Sequence, residues 1–173
     1  MPYSFKGKLL KVLTQKRRLP DGRLTTLDII DHPGAVLIVP FLDQKRLIFI
    51  RQYRSAIQRF IYELPAGTLN PRESLTKCAH RELAEETGYR AGKMSVLGNI
   101  FPVPGYSTEV ITIFKAQGLS PLDSDKGKVD VIKDPDEVIR VRVLSRVQIQ
   151  KIFRSGRLND AKTICALGFC GFL

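Results

Sequence analysis

The chain has few of the residues that build disulfide frameworks or zinc sites. It contains two histidines and only three cysteines, Cys78, Cys165 and Cys170, with no CxxC pair among them. This usage argues against both kinds of site and indicates reduced thiols in the cytoplasm. No apolar run approaches the about 20 residues that a membrane-spanning helix needs, and the N-terminus has no secretory signal pattern. We therefore expect a cytoplasmic protein without a membrane segment.

Acidic residues are outnumbered, since 28 Lys and Arg face 17 Asp and Glu, which gives a net charge of +11. A basic chain favours phosphorylated or polyanionic partners. The basic residues are dispersed, however, and no basic run alternates with aromatic residues as in proteins that bind single strands. Nucleic acid is therefore not the expected partner. With 173 residues, 43% of them hydrophobic, the chain can bury a substantial core.

Hydrophobic patterning predicts short strands that are paired in hairpins. Residues 3–18 and 25–30 form a first hairpin around the Pro-Asp-Gly turn at 20–22. The apolar run 35–41 predicts a buried strand, and with the strand at 46–52 it predicts a second hairpin. Further strands are expected at 60–64, 94–101, 110–116 and 138–144, and helices at 74–87, 146–153 and 160–169. Hairpins followed by few helices favour an α+β fold with a mixed sheet over a doubly wound parallel sheet.

An acidic turn lies inside the first of these helices. Glu82 and Glu86 are four residues apart and share a helix face, with Glu85 beside them. Like charges at this spacing destabilise a helix unless a cation compensates them. Carboxylate oxygens grouped on one face are the ligands that hard divalent cations require.

The residues around this turn resemble the Nudix box, the signature of the Nudix hydrolases. The spacing Gly-x5-Glu-x7-Arg-Glu-Leu-x-Glu-Glu-x-Gly is met by Gly67, Glu73, Arg81, Glu82, Leu83, Glu85, Glu86 and Gly88. The resemblance implies a Nudix fold, in which a mixed β-sheet lies between helices. It also implies that Glu73 and Arg81 pair, and that Gly67 and Gly88 adopt backbone conformations that a Cβ disfavours.

The same resemblance implies Mg²⁺, or alternatively Mn²⁺, as the cofactor. Glu82 and Glu86 would be the principal metal ligands and catalytic residues, Glu85 would bind the metal or act beside it, and the carbonyl of Ala66 would join the shell. Such a site suits attack of an activated water on a phosphoanhydride.

Other segments look like those of ADP-ribose pyrophosphatases. They are HPGAV at 32–36, RQYR at 51–54, ELPAG at 63–67, PGYSTE at 104–109 and GRLNDAKT at 156–163. The implied reaction converts ADP-ribose and water into AMP and ribose 5-phosphate. The implied substrate-binding residues are Asp28, Arg51, Arg54, Glu63, Pro104, Gly105, Ser107 and Glu109.

Within this set, Arg54 would contact the diphosphate, and Glu109 would contact the terminal ribose or help to position water. The general base is expected on a loop after the box, where Asp134, Asp136 and Glu137 are available, and we favour Glu137.

The N-terminal region departs from these relatives. Leu27 stands where they often carry an adenine-binding arginine, although Asp28 can replace the acid, so a broader range of nucleoside diphosphate sugars is expected. Related enzymes are commonly dimers that exchange an N-terminal sheet. We accordingly predict a β arm at 1–34, a Nudix domain at 35–173, and a homodimer.

Two other functions stay open from the sequence. An RNA 5′-end pyrophosphohydrolase would suit the positive charge. A non-catalytic, ADP-ribose-sensing Nudix domain would be expected to lack a box carboxylate, and none is lacking here.

Overall fold

The computed structural model describes residues 4–7, 10–122 and 138–173. Its helices are α1 (Leu75–Thr87), α2 (Arg146–Arg154) and α3 (Ala161–Phe169), and a short 3-10 turn covers Ser55–Ile57. Its strands are β1 (Phe5–Lys6), β2 (Lys11–Arg18), β3 (Leu24–Ile30), β4 (Ala35–Pro40), β5 (Arg46–Arg54), β6 (Arg59–Glu63), β7 (Ala66–Thr68), β8 (Tyr89–Ile100), β9 (Ile111–Pro121) and β10 (Ile139–Ser145). No described helix is long and apolar enough to cross a membrane.

The central sheet has the strand order β7-β4-β9-β8. Strands β4 and β9 run parallel, whereas β7 and β8 pair antiparallel with their neighbours. All six residues of β4 are buried, as the continuous apolar run predicted.

Helices α1 and α3 cover opposite faces of this sheet. Val36 and Ile38 point towards α1 and pack in one cluster with Leu83. Their neighbour Leu37 points the other way and shares a second cluster with Leu167 of α3. Side chains of β4 therefore point alternately into the two hydrophobic clusters, one under each helix. The predicted α+β fold with a mixed sheet between helices is confirmed.

The prediction that β4 and β5 form a hairpin is wrong. Strand β5 belongs to a second, antiparallel sheet with the order β10-β5-β6, and only an isolated bridge between Phe41 and Leu47 joins the two segments. The reason is that both edges of β4 are already occupied, one by β7 and the other by β9. Turn 43–45 thus carries the chain from one sheet to the next.

Strands β1 to β3 form a separate three-stranded antiparallel sheet, which we call the arm. None of the described residues from 4 to 30 is buried. At its end the arm meets the loop 102–109, because the Ile30 N–H donates to the Tyr106 carbonyl (2.7 Å) and the Thr108 N–H donates to the Ile30 carbonyl (3.0 Å).

The ends of α1 are set by local chemistry. The Ser74 side chain accepts a hydrogen bond from the Lys77 N–H at the start of the helix. Gly88 ends it in the left-handed region, with φ at 73°. The predicted helix and its glycine stop are confirmed.

Candidate active site

Two carboxylates of α1 are buried against the central sheet. Glu82 is 2% exposed and Glu86 is 3% exposed, and both lie on the helix face that also buries Leu83 and Ala79. The backbone N–H of Ala66, in β7, donates to Glu86 Oε2 at 3.0 Å. The i, i+4 spacing therefore brings both acids to one place, beside the strand that precedes the helix.

Arg81 holds this acidic turn together. Its Nε and Nη2 donate to the two oxygens of Glu73, both at 2.8 Å, so the predicted pair is confirmed as a bidentate one. Its Nη1 donates to Glu82 Oε1 at 2.6 Å and to Glu85 Oε2 at 3.0 Å. One guanidinium thus fixes the loop before α1 and contacts two box acids of the helix.

Charge pairing shifts the pKa values of these groups. The hydrogen bonds from Arg81 and from the Asn70 N–H lower the pKa of Glu73 to about 2. The hydrogen bond to Glu73, followed by those to Glu82 and Glu85, raises the pKa of Arg81. Burial raises the pKa of the neighbouring Cys78 thiol to about 12, so this cysteine is an inert thiol under the ion pair.

Gly67 lies directly against Glu82. A Cβ built on Gly67 would be 2.0 Å from Glu82 Oε1, which no real contact permits. Gly67 is not among the residues with positive φ. The expectation that its backbone conformation requires glycine is therefore wrong for Gly67, where the requirement is space, and right for Gly88.

The donor set suits a hard cation. Its possible ligands all bind through oxygen: the carboxylates of Glu82, Glu85 and Glu86 and the carbonyl of Ala66. The space that a Cβ of residue 67 would occupy is filled by the Glu82 carboxylate. Among the described residues, no three acidic, histidine or cysteine side chains already converge as a complete metal-binding group. Arg81 donates hydrogen bonds to two of these acids, Glu82 and Glu85. A bound cation would compete with Arg81 for their oxygens.

A second charged cluster is centred on Glu63, three residues before Ala66. Glu63 is fully buried, and its two oxygens accept from Arg54 Nε (2.7 Å) and Nη2 (2.8 Å). Lys162, from α3, also contacts Glu63 and donates to Asp160 Oδ1 at 2.8 Å. The Arg54 side chain keeps 40% of its surface exposed. Glu63 thus holds the partly exposed guanidinium of Arg54 in a fixed orientation.

Burial alone would raise the pKa of Glu63, but the hydrogen bonds and charges of Arg54 and Lys162 outweigh it, and the pKa lies below its ordinary 4.5. A carboxylate with a lowered pKa stabilises the fold above its unfolded-state pKa, and this contribution disappears as the pH falls through the folded-state value.

Replacing Glu63 with glutamine should therefore destabilise the protein by about 3 kcal/mol at pH 7, because two cations lose a buried partner. In urea unfolding, the difference from wild type should be constant above pH 5 and shrink below about 4.5. Asp21→Asn, which removes a surface pair with Arg23, is the control and should change little. Equal stability of Glu63→Gln and wild type at pH 7 would contradict the ion-pair assignment.

The loop with the predicted residues Pro104, Gly105, Ser107 and Glu109 docks at the end of the arm. Ser107 Oγ accepts from the Glu109 N–H at 3.1 Å. Glu109 Oε1 lies 3.9 Å from Nε2 of His32, whose Nδ1 accepts from the Gly34 N–H at 3.1 Å. The side chain of Glu109 is thus placed at the junction of arm and central sheet.

Two other predicted substrate residues lie apart from Arg54. Arg51 is three residues earlier in β5 and therefore on the other face, where its guanidinium stacks on Phe60 at 5.1 Å. Asp28 lies on the exposed arm and accepts from Thr14 Oγ1 at 2.7 Å. Glu137, Asp134 and Asp136 lie outside the described residues.

Three residues of this region lie in segments noted from the sequence but received no role there. Lys162 of α3 contacts Glu63 at the end of β6, and Thr163 Oγ1 accepts from the N–H of the next residue, Leu64, at 2.9 Å. Gln52 is buried in β5. A lysine in the first turn of a helix, where the dipole disfavours it, was the available signal for Lys162.

The chain is similar to known proteins in both sequence and fold. The sequence profile described as the NUDIX domain matches residues 31–167. An ADP-ribose pyrophosphatase of Bacillus subtilis is 33% identical over 165 residues, covering 95% of this chain and 86% of that protein. A methanol dehydrogenase activator of Bacillus methanolicus is 31% identical over 165 residues, with the same shares of 95% and 86%.

A solved crystal structure of an ADP compounds hydrolase superposes with a TM-score of 0.78. The superposition covers 98% of this chain and 88% of the hydrolase chain, and the two sequences are 23% identical. This likeness confirms the expected fold.

Proposed function

The chain belongs to the Nudix family of hydrolases, and we propose that it hydrolyses the diphosphate bond of ADP-ribose and related nucleoside diphosphate sugars. The products would be a nucleoside monophosphate and a sugar phosphate. One observation carries this proposal. The buried acid Glu86 contacts Ala66, and the buried acid Glu82 lies against Gly67. The same short segment holds Glu63, which orients Arg54.

Nudix hydrolases generally require a divalent metal ion, and we propose Mg²⁺ here, with Mn²⁺ as the alternative. Glu82, Glu85, Glu86 and the carbonyl of Ala66 would hold it. When bound, the metal supplies neutralising charge for the diphosphate oxygens and lowers the pKa of a bound water.

The other residues act on the substrate directly. Arg54 binds the diphosphate, because two hydrogen bonds to Glu63 fix the orientation of its planar guanidinium and 40% of its side chain is exposed. Glu109 contacts the terminal ribose or orients water from its place beside His32. Glu137 is the proposed general base. Pro104, Gly105 and Ser107 shape the loop that carries Glu109, and Arg51 and Asp28 remain proposed substrate contacts.

Substrate range is the finer part of the proposal. Leu27 is 38% exposed on the arm and offers no hydrogen bond to a base, so selectivity for adenine should be weak. The test is hydrolysis of ADP-ribose, GDP-mannose, UDP-glucose and 5′-triphosphate RNA with Mg²⁺. Activity on the sugars and none on RNA is expected, whereas cleavage of RNA alone would replace the proposal with RNA 5′-end pyrophosphohydrolysis.

A non-catalytic role is the other alternative. One relative is named for activating methanol dehydrogenase. The intact box acids and their buried, paired arrangement favour catalysis over ligand sensing alone. Binding of ADP-ribose without any turnover in the same assay would identify a sensing domain.

We further propose a cytoplasmic homodimer, in which the arm (residues 1–34) of one chain packs on the domain (35–173) of the other. The register of β2 and β3 places Leu13 opposite Ile29 and Gln15 opposite Leu27, so one arm face carries Leu13, Leu27 and Ile29. In the described chain this apolar face is not buried, which favours a partner that covers it.

The double variant Leu13→Glu/Leu27→Glu should therefore shift the protein from dimer to monomer in sedimentation velocity, since two charges would enter the covered face. Leu24→Glu is the matched control, because Leu24 is 64% exposed on the opposite face of the same strand. A wild-type monomer, or a dimer that survives the double variant, would contradict this arrangement.

A further inference from the structure

Gln52 has a buried side chain whose amide oxygen makes no hydrogen bond. It is 2% exposed, and its Oε1 is the one buried side-chain nitrogen or oxygen of the described residues that makes no hydrogen bond. An unpaired buried polar group costs about 1–3 kcal/mol, and native proteins retain few of them. A group kept at this cost usually meets a ligand or an ordered water.

The two cross-strand neighbours of Gln52 offer its side chain no hydrogen bond. It lies in the middle strand of its sheet, opposite Ile61 of β6 on one side and Ile139 of β10 on the other. Both of these neighbours are apolar.

The strand places Gln52 on the same face as Arg54. Residues two apart on a strand point to the same side and lie about 7 Å apart. Glu63 shares this face, because it pairs with Ile50, the residue two before Gln52. The Gln52 amide therefore lies on the same sheet face as the Arg54 guanidinium, which we assign to the diphosphate, and the Glu63 carboxylate, which orients that guanidinium.

We propose that the Gln52 amide binds a hydroxyl of a sugar that flanks the diphosphate, an inference that rests on the proposed function. Phosphate oxygens accept hydrogen bonds, so the donors nearest to the diphosphate of a nucleoside diphosphate sugar are its sugar hydroxyls. An amide oxygen is an acceptor and matches them. The contact would satisfy Gln52 only when substrate is bound and would select for substrates with a sugar next to the diphosphate.

The test is Gln52→Met, which removes the amide and keeps the length of the side chain. The melting temperature should be equal or higher, because an unpaired polar group is removed. At the same time, kcat/KM for ADP-ribose should fall about tenfold, which corresponds to one lost hydrogen bond. A purely structural role would lower both quantities together.

Two truncated substrates identify the sugar. The methyl ester of ADP lacks the terminal sugar, and the methyl ester of ribose 5-diphosphate lacks the nucleoside. The tenfold effect should vanish on the substrate without the contacted sugar and persist on the other. An equal loss on both would overturn the inference, since the amide would then act on the diphosphate or on the fold.

Gln44→Met is the control, because Gln44 lies exposed in the turn between β4 and β5. Unchanged kcat/KM in Gln52→Met, with an active wild type, would overturn the inference alone. A wild type that hydrolyses no nucleoside diphosphate sugar would overturn the proposed function and this inference with it.

Discussion

Glu86→Gln should lower kcat for ADP-ribose about 1,000-fold while leaving the melting temperature nearly unchanged. The amide keeps an oxygen that can accept the hydrogen bond from the Ala66 N–H, so the local structure is preserved. It loses the negative charge that a divalent cation requires. Metal ions contribute several kcal/mol to stabilising the charge of such transition states, and about 4 kcal/mol corresponds to this factor.

Steady-state kinetics with Mg²⁺ and with Mn²⁺ measures the first effect, and calorimetric titration of the metal into the substrate-free protein measures the loss of binding independently. Asp21→Asn removes a carboxylate from the exposed turn of the arm and should behave as wild type in both assays. Full activity in Glu86→Gln would show that the metal-site assignment is wrong.

The parts of this site that the sequence predicts well are those decided within one helix and its caps. The spacing of Glu82 and Glu86 places both on one face, and Ser74 and Gly88 delimit the helix. Even the pairing of Arg81 with Glu73 crosses only eight residues, from the preceding loop to the second turn. Periodicity and capping chemistry suffice for such contacts, because the backbone geometry between the partners is known in advance.

The contacts that the sequence could not predict join distant segments. Lys162 meets Glu63 across 99 residues, and no local pattern connects them. The prediction of strand pairing failed for a related reason. The turn at 43–45 looks like that of a hairpin, but the partners of β4 are β7 and β9, and only the tertiary structure decides which strands pair. The unpaired state of Gln52 likewise depends on which residues of β6 and β10 lie beside it.

Space at Gly67 is another property that appears only in the folded protein. Gly67→Ala should lower kcat about 100-fold, because the new Cβ cannot share the place of the Glu82 carboxylate, 2.0 Å away. The obstructing atom is the end of a flexible side chain, so Glu82 can swing aside and the backbone need not move. Displacement of a catalytic group by an ångström is enough for a loss of this size. The stability should fall much less than the activity.

Shortening the displaced side chain tests this cause directly. In Gly67→Ala/Glu82→Asp the carboxylate is withdrawn by one methylene, so the double variant should unfold at a higher temperature than Gly67→Ala alone. Gly168→Ala is the matched control, because Gly168 is exposed in α3 and a Cβ there meets nothing within 4 Å. That variant should keep full activity and gain slightly in stability, since alanine favours the helix. If Gly67→Ala retained wild-type kcat, the carboxylate of Glu82 would not need the position it occupies beside Gly67, and its assignment as a metal ligand would fail.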